Sequence, residues 1–174
     1  MERRQVVQML GSGIAALGFS STVSARSDGE APNGNVETAD VNIFSPKNDP
    51  VEVSSGTWVN HYWGWVDADY GGDSTEDGIE AFLDAAEITV RIDGDEISDP
   101  DQYWGEPEQN DEDQWVVWWE YVTPPKGPGL YTFTLESYFP DGLKVNGEVV
   151  REPGTRNEFT GYYEVTGGSD GRSR

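Results

Sequence analysis

Three acidic residues in a glycine-containing stretch could bind a calcium ion. Asp67, Asp69 and Asp73 lie in the run Asp-Ala-Asp-Tyr-Gly-Gly-Asp, and oxygen ligands on a turning loop are what Ca²⁺ requires. The run does not fit an EF-hand, because Gly71 and Gly78 stand at the fifth and twelfth loop positions, and the twelfth should be Glu. We therefore treat Asp67, Asp69 and Asp73 as a candidate calcium site, with an acidic strand-to-helix loop as the alternative.

The chain contains seven tryptophans, more than the core of a domain this size ordinarily holds. Exposed Trp or Tyr beside carboxylates is how many sugar-binding modules hold a ring. Trp63, Trp65, Tyr103 and Trp104 are the candidate ligand-binding residues. The alternative is an aromatic core, because Trp readily fills the interior of a β-sandwich.

The residues needed for nucleophilic catalysis are scarce. There is no cysteine and only one histidine, His61, which lies inside the aromatic run 58–66. A partly buried strand histidine is therefore expected, and a structural zinc site is excluded. Two carboxylates could hydrolyse glycosides, but 33 acidic residues single out no pair. No catalytic residue is assigned, and we expect a protein that is not an enzyme.

Acidic residues dominate the whole chain. The formal net charge is -22, and lysine occurs only three times. Such a chain repels nucleic acid and anionic lipid, and its compact state should depend on screening by salt. No cofactor other than calcium is indicated. This composition resembles that of proteins exported by halophilic archaea.

The first 25 residues have the order of parts found in an export signal. Arg3 and Arg4 precede a mildly apolar stretch over 6–19, and Val23-Ser24-Ala25 follows as a small-residue cleavage pattern. The apolar stretch is too short for a stable membrane span. The paired arginines resemble a twin-arginine signal, so we expect a secreted protein cleaved near Ala25.

The rest of the chain is interpreted as one domain with flexible ends. Residues 26–40 are almost free of apolar side chains, which predicts a flexible acidic linker. Residues 41–166 are predicted to form the domain, and residues 167–174 a disordered tail. Strands are predicted from alternating or continuous apolar patterns at 58–66, 88–92, 115–122, 131–136 and 159–165. The runs 58–66 and 115–122 are apolar on both faces, which predicts central strands covered on both sides.

One helix and several turns complete the prediction. Ile79, Phe82, Leu83 and Ala86 have helical spacing, whereas Asp93-Gly94 and Asn146-Gly147 predict two-residue hairpin turns. The Pro-rich turn at 124–129 leads to Tyr131, a layout that resembles the tyrosine corner of immunoglobulin-like sandwiches. The predicted fold is all-β, an immunoglobulin-like antiparallel β-sandwich with one short helix.

Over residues 55–142 the chain is similar to exported archaeal and bacterial sandwich domains of unknown function. The matching features follow one order along the chain. An aromatic strand ends at Trp65, a short helix contains Phe82-Leu83, and a hairpin lies at Ile92-Asp93-Gly94. Then come Tyr103-Trp104, the aromatic run 118–121 and the Pro-Gly turn before Tyr at 128–131. This resemblance implies the sandwich architecture and an extracellular setting, and it carries no implication about catalysis. We expect a binding or surface-interaction role with an unknown protein or glycan at the cell surface; the alternative is a carbohydrate-binding module or a carboxylate-based glycoside hydrolase.

Overall fold

The computed structural model describes residues 38–67 and 74–167. Within them lie one 3₁₀-helix (Pro100–Tyr103), one α-helix and eleven strands. In chain order these are β1 (Thr38–Asn42), β2 (Val51–Ser54), β3 (Trp58–Val66), α1 (Glu76–Ala85), β4 (Glu87–Ile92), β5 (Asp95–Glu96), β6 (Glu108–Gln109), β7 (Trp115–Thr123), β8 (Gly129–Phe139), β9 (Leu143–Val145), β10 (Glu148–Arg151) and β11 (Thr155–Thr166). The expected signal peptide lies outside the described residues, and β1 begins within the stretch expected as a linker.

Nine of the described strands form two sheets. The front sheet has the order β1-β3-β7-β6 and the back sheet the order β2-β11-β8-β4-β5, while β9 and β10 form a separate hairpin. Neighbours in the sheets are antiparallel apart from two pairs, β1 with β3 and β2 with β11, which are parallel. The predicted all-β class is confirmed at this level.

The two sheets share one main core. Trp119 of the front sheet stacks on Phe133 of the back sheet with ring centroids 5.8 Å apart. Both side chains are fully buried, and burying a large apolar side chain stabilises the fold by about 1.5 to 3 kcal/mol. The two sheets therefore pack face to face as a sandwich.

Helix α1 closes one end of this core. The Thr75 hydroxyl accepts a hydrogen bond from the Gly78 amide at 3.2 Å and so caps the first turn. Ile79 and Phe82 are fully buried, and the Phe82 ring stacks on Trp65 at 4.4 Å. The predicted helix is confirmed, and among the described residues no helix is long and apolar enough to cross a membrane.

The predicted turns are present. Asp93 and Gly94 have φ of 57° and 86°, and Asn146 and Gly147 have φ of 52° and 82°. Positive φ at both central residues is what this type of two-residue hairpin turn requires. The Tyr131 hydroxyl donates a hydrogen bond to the Gly127 carbonyl oxygen at 2.8 Å. This hydrogen bond fastens the start of β8 to the Pro-rich turn before it.

The central strands of the front sheet are β3 and β7, which pair antiparallel over most of their length. Their inner faces are covered by the back sheet. On the outer face, Tyr62, Gly64 and Trp118 are only partly buried. The outer face is thus less fully covered than the apolar pattern predicts, and the open part is where a ligand could bind.

Candidate functional site

A groove of about 410 Å³ lies on the outer face of the front sheet. This volume is within the range of small-ligand sites. The lining is largely apolar, includes three aromatic rings and contains no charged side chain; its residues are Asn42, Phe44, Ser45, Tyr62, Gly64, Val66 and Trp118. We call this feature the outer groove.

The alternation of side chains along β3 places one part of the lining. Because neighbouring residues of a strand point to opposite faces, Tyr62, Gly64 and Val66 share the outer face, whereas Trp63 and Trp65 enter the core. Gly64 pairs with Trp118 of β7. A Cβ atom at position 64 would lie 2.5 Å from the six-membered ring of Trp118, so the indole occupies the space that glycine leaves.

A hydrogen bond holds the Trp118 side chain in place. The indole Nε1 donates to Oε1 of Glu108 on β6 at 3.0 Å. The Tyr62 ring lies beside it, with ring centroids 6.2 Å apart and planes inclined by 58°. The two rings therefore form a partly fixed aromatic surface before any ligand arrives.

The turn after β1 supplies the opposite part of the lining. Phe44 is 49% exposed, and its ring packs edge-on against Phe159 with ring centroids 5.4 Å apart. The Phe44 amide donates to Oδ1 of Asn42 at 2.9 Å, and the Ser45 carbonyl oxygen accepts from the Tyr162 amide of β11 at 2.9 Å. These contacts attach the turn to the back sheet, so this wall is also fixed.

Carboxylates lie next to the outer groove. Glu120 is the cross-strand partner of Tyr62, and the Asn60 Nδ2 donates to Asp40 Oδ1 at 3.1 Å and to Glu120 Oε1 at 3.5 Å. Burial raises the pKa of Glu120, the hydrogen bond from Asn60 opposes that rise, and the charges of Asp40 and Glu108 add to it. Three acidic side chains thus lie next to the groove and give this part of the sheet a negative potential.

The ligand-binding residues predicted from the sequence lie elsewhere. Trp63, Trp65 and Tyr103 are buried and Trp104 is half-buried. The Trp63 and Trp104 rings are 5.4 Å apart, and Tyr103 packs edge-on against Trp119. The structure therefore brings these four side chains into and around the core, and none of them is a lining residue of the outer groove.

Of the candidate calcium ligands, only Asp67 belongs to the described residues. Its buried carboxylate accepts hydrogen bonds from the Thr75 amide at 2.8 Å and the Thr75 hydroxyl at 3.4 Å. A side chain at Gly78 would collide with it, so Asp67 fits closely against the start of α1. Asp69 and Asp73 lie outside the described residues. Within 38–67 and 74–167 no three acidic, His or Cys side chains gather as metal ligands.

His61 is enclosed in the core. Its Nε2 is 3.1 Å from the Thr123 hydroxyl, and its ring lies edge-on to Phe133 and Tyr163, each at 5.3 Å. Burial, with a smaller contribution from the Lys126 charge, lowers the pKa of His61 to about 3. A neutral imidazole without access to solvent cannot exchange protons with a bound substrate.

Comparison of the chain with protein-family models, with curated proteins and with solved structures gave no match. Fold and site together describe a β-sandwich with an aromatic-lined groove on an outer sheet face.

Sequence reasoning did not select Phe44, Tyr62 or Trp118 as ligand-binding residues. A usable signal was present: Gly64 stands alone between two tryptophans in a strand, and an isolated strand glycine often marks a close approach by another group. Trp118 and Trp119 must point to opposite faces, so one of them lies outside the core unless the strand is covered on both sides. The partner of Gly64, however, depends on the register between β3 and β7.

Proposed function

We propose that this protein is a secreted, salt-adapted, non-enzymatic β-sandwich module that binds its ligand in the outer groove. The observation behind this proposal is the pairing of Gly64 with Trp118, which leaves a partly fixed aromatic surface open on the outside of the sheet. Large aromatic side chains normally contribute to the core. An aromatic surface that is held in position and yet partly open is better explained by binding than by stability.

The fixed walls support a binding role. Glu108 holds the Trp118 ring and the back sheet holds the turn that bears Phe44, so few side chains must be ordered when a ligand binds. Each rotamer-rich side chain that binding immobilises costs about 0.5 to 1.5 kcal/mol. A preformed groove avoids most of that cost. The ligand belongs to an unidentified protein or glycan at the cell surface.

The finer fold type and the compartment are parts of the same proposal. The hydrogen bond from Tyr131 to Gly127 supports an immunoglobulin-like sandwich. The order of Arg3, Arg4, apolar stretch and Ala25 supports twin-arginine export, and the net charge of -22 supports salt adaptation of the kind found in halophilic archaea. Replacing Arg3 and Arg4 by Lys should stop secretion; normal secretion of that variant would rule out the twin-arginine route.

Nuclear magnetic resonance of the tryptophan indoles can test the groove without knowledge of the ligand. Seven tryptophans give separate indole N–H signals, which substitution can assign. The probes are neutral oligosaccharides, tetramethylammonium and short uncharged peptides, each added in molar KCl. At least one probe class should shift the Trp118 signal and leave the buried Trp119 signal in place. Absence of any shift at Trp118 across all three classes would overturn the proposed binding role.

A further inference from the structure

We infer that the ligand of the outer groove is a neutral sugar ring that packs against Trp118 and Tyr62. This inference rests on the proposed binding function and adds the chemical class of the ligand. It follows from three properties of the groove: the kinds of side chain that line it, the charge around it and its shape along the strand.

The lining offers apolar surface with few polar groups. Tyr62 and Trp118 supply aromatic rings, and polar groups come from Asn42, Ser45 and the Tyr62 hydroxyl. The C–H groups of a sugar ring pack on aromatic side chains, and its hydroxyl groups need a small number of hydrogen-bond partners. Both requirements are met within one groove.

The surrounding charge excludes acidic ligands. No lining residue is basic. Two acidic groups lie beside the aromatic lining: Glu108 accepts from the Trp118 indole, and Glu120 is the cross-strand partner of Tyr62. An acidic ligand would find no basic partner here to offset the loss of its hydration, and at moderate salt the nearby carboxylates would also repel it. Uronic acids, sialic acids and phosphorylated sugars are thereby disfavoured.

Cationic ligands are also a poor fit, although the potential is negative. The carboxylates have partners of their own: Glu108 accepts from the Trp118 indole, and Glu120 and Asp40 accept from Asn60. None of the three is a lining residue. In about 1 M salt the screening length falls to about 3 Å, so attraction of an ammonium group would be weak. Packing of an uncharged ring is much less sensitive to salt.

The groove extends along β3. Tyr62, Gly64 and Val66 occupy successive outward positions, and a strand rises about 3.3 Å per residue, so they span about 13 Å. That length accommodates more than one ring of a linear chain. We therefore expect short oligosaccharides to bind more tightly than the corresponding monosaccharide.

Calorimetric titration with matched oligosaccharides tests the inference. Cellotetraose is the neutral probe, the β-linked glucosamine tetramer adds positive charge on a similar backbone, maltotetraose changes the linkage, and a galacturonic acid tetramer adds negative charge. Each is titrated into the protein at moderate and at molar KCl. At least one neutral tetramer should bind, with an affinity that changes less than about threefold between the two salt concentrations, and the acidic tetramer should not bind.

Two variants locate the binding. Trp118→Ala should weaken the neutral tetramer at least about tenfold, as expected for a central aromatic contact. Trp58→Ala removes another half-buried Trp from the same strand pair but outside the groove lining, and should leave the affinity within about twofold. Both variants are checked for folding by near-ultraviolet circular dichroism, and Tyr62→Ala gives a second groove variant if Trp118→Ala does not fold.

The possible outcomes separate the two proposals. Binding of a neutral tetramer that is lost in the groove variants supports the sugar inference. Binding only of the glucosamine tetramer, or only of tetramethylammonium or a peptide at Trp118, overturns the sugar inference and leaves the binding function in place. Equal binding by the wild type and both groove variants, or no binding by any probe, overturns the sugar inference and the groove as the binding site together.

Discussion

Gly64 and Trp118 face each other across β3 and β7, and the Trp118 ring fills the space that any side chain at position 64 would need. This pairing explains why an aromatic strand contains a glycine at a position where glycine weakens a sheet. It also fixes the floor of the outer groove, because the ring lies over the backbone of β3.

Replacing Gly64 by Ala should therefore disturb the groove and destabilise the protein. The new Cβ would lie 2.5 Å from two ring carbons of Trp118, and overpacking of this kind costs about 1 to 3 kcal/mol. In a Trp118→Ala background the same change should cost close to nothing, giving a coupling energy of at least about 1 kcal/mol. Urea unfolding of the four proteins in the cycle measures it. Additive effects of the two substitutions would contradict the described contact.

Tyr131→Phe tests the hydrogen bond before β8. Removing the hydroxyl leaves the Gly127 carbonyl without the donor 2.8 Å away, so unfolding free energy should fall by about 0.5 to 1 kcal/mol. Tyr162→Phe is the matched control, because its hydroxyl has no hydrogen-bond partner among the described contacts. If both variants unfold at the same urea concentration as the wild type, the corner hydrogen bond has no stabilising effect.

His61 should make the protein less stable as the pH falls. Its pKa is about 3 in the folded state and 6.5 in a free side chain, so below about pH 6.5 the unfolded state takes up a proton that the folded state does not. The stabilisation from neutral His61 is complete above pH 6.5 and is lost progressively down to about pH 3. His61→Gln removes this titration.

The measurement is urea unfolding of the wild type and His61→Gln between about pH 7 and pH 4. The carboxylates are common to both proteins, so their contributions largely cancel in the difference. Unfolding free energy should fall more steeply with decreasing pH in the wild type, by up to about 1.4 kcal/mol per pH unit. Parallel pH profiles would contradict this prediction, because they would mean that the pKa of His61 is the same in the folded and unfolded states.

Much of the fold was predictable because the determining signals are local. The aromatic runs 58–66 and 115–122 correspond closely to β3 and β7, and Asp93-Gly94 and Asn146-Gly147 form the expected turns. These patterns depend on side-chain alternation and on the ease of positive φ at Asn, Asp and Gly. The helix was recognised in the same way, from apolar residues at helical spacing.

The outer groove was not predictable in the same way, because it depends on contacts between distant segments. Alternation shows that Trp63 and Trp65 share one face and that Tyr62 and Gly64 share the other, but it does not show which face meets the core. The two tryptophans bury more apolar area than tyrosine and glycine, and this difference decides the orientation. The position of Phe44 depends further on where its turn contacts β11.

Salt should stabilise the protein strongly. With a net charge of -22, repulsion acts over about 10 Å at 0.1 M salt but only about 3 Å at 1 M. The melting temperature should therefore rise steeply from about 0.1 M to molar NaCl or KCl. A melting temperature independent of salt over this range would contradict the proposed adaptation.

The same melts with millimolar calcium test the candidate site at Asp67, Asp69 and Asp73. A bound ion stabilises the state that binds it, so a calcium site predicts a further rise in melting temperature beyond that given by an equal ionic strength of NaCl. Asp67→Asn should abolish this additional rise. A melting temperature unaffected by calcium would remove the metal site and leave the salt prediction intact.

Oxidative footprinting of the tryptophans, read by mass spectrometry with and without cellotetraose or maltotetraose, tests most directly whether the outer groove is the binding surface. Without ligand, Trp118 should be oxidised while the buried Trp63, Trp65 and Trp119 stay largely unmodified. Saturating tetramer should protect Trp118 and leave oxidation of Trp58 unchanged. Oxidation of Trp118 that is equal with and without bound tetramer, or protection confined to another tryptophan, would contradict the assignment of binding to this groove.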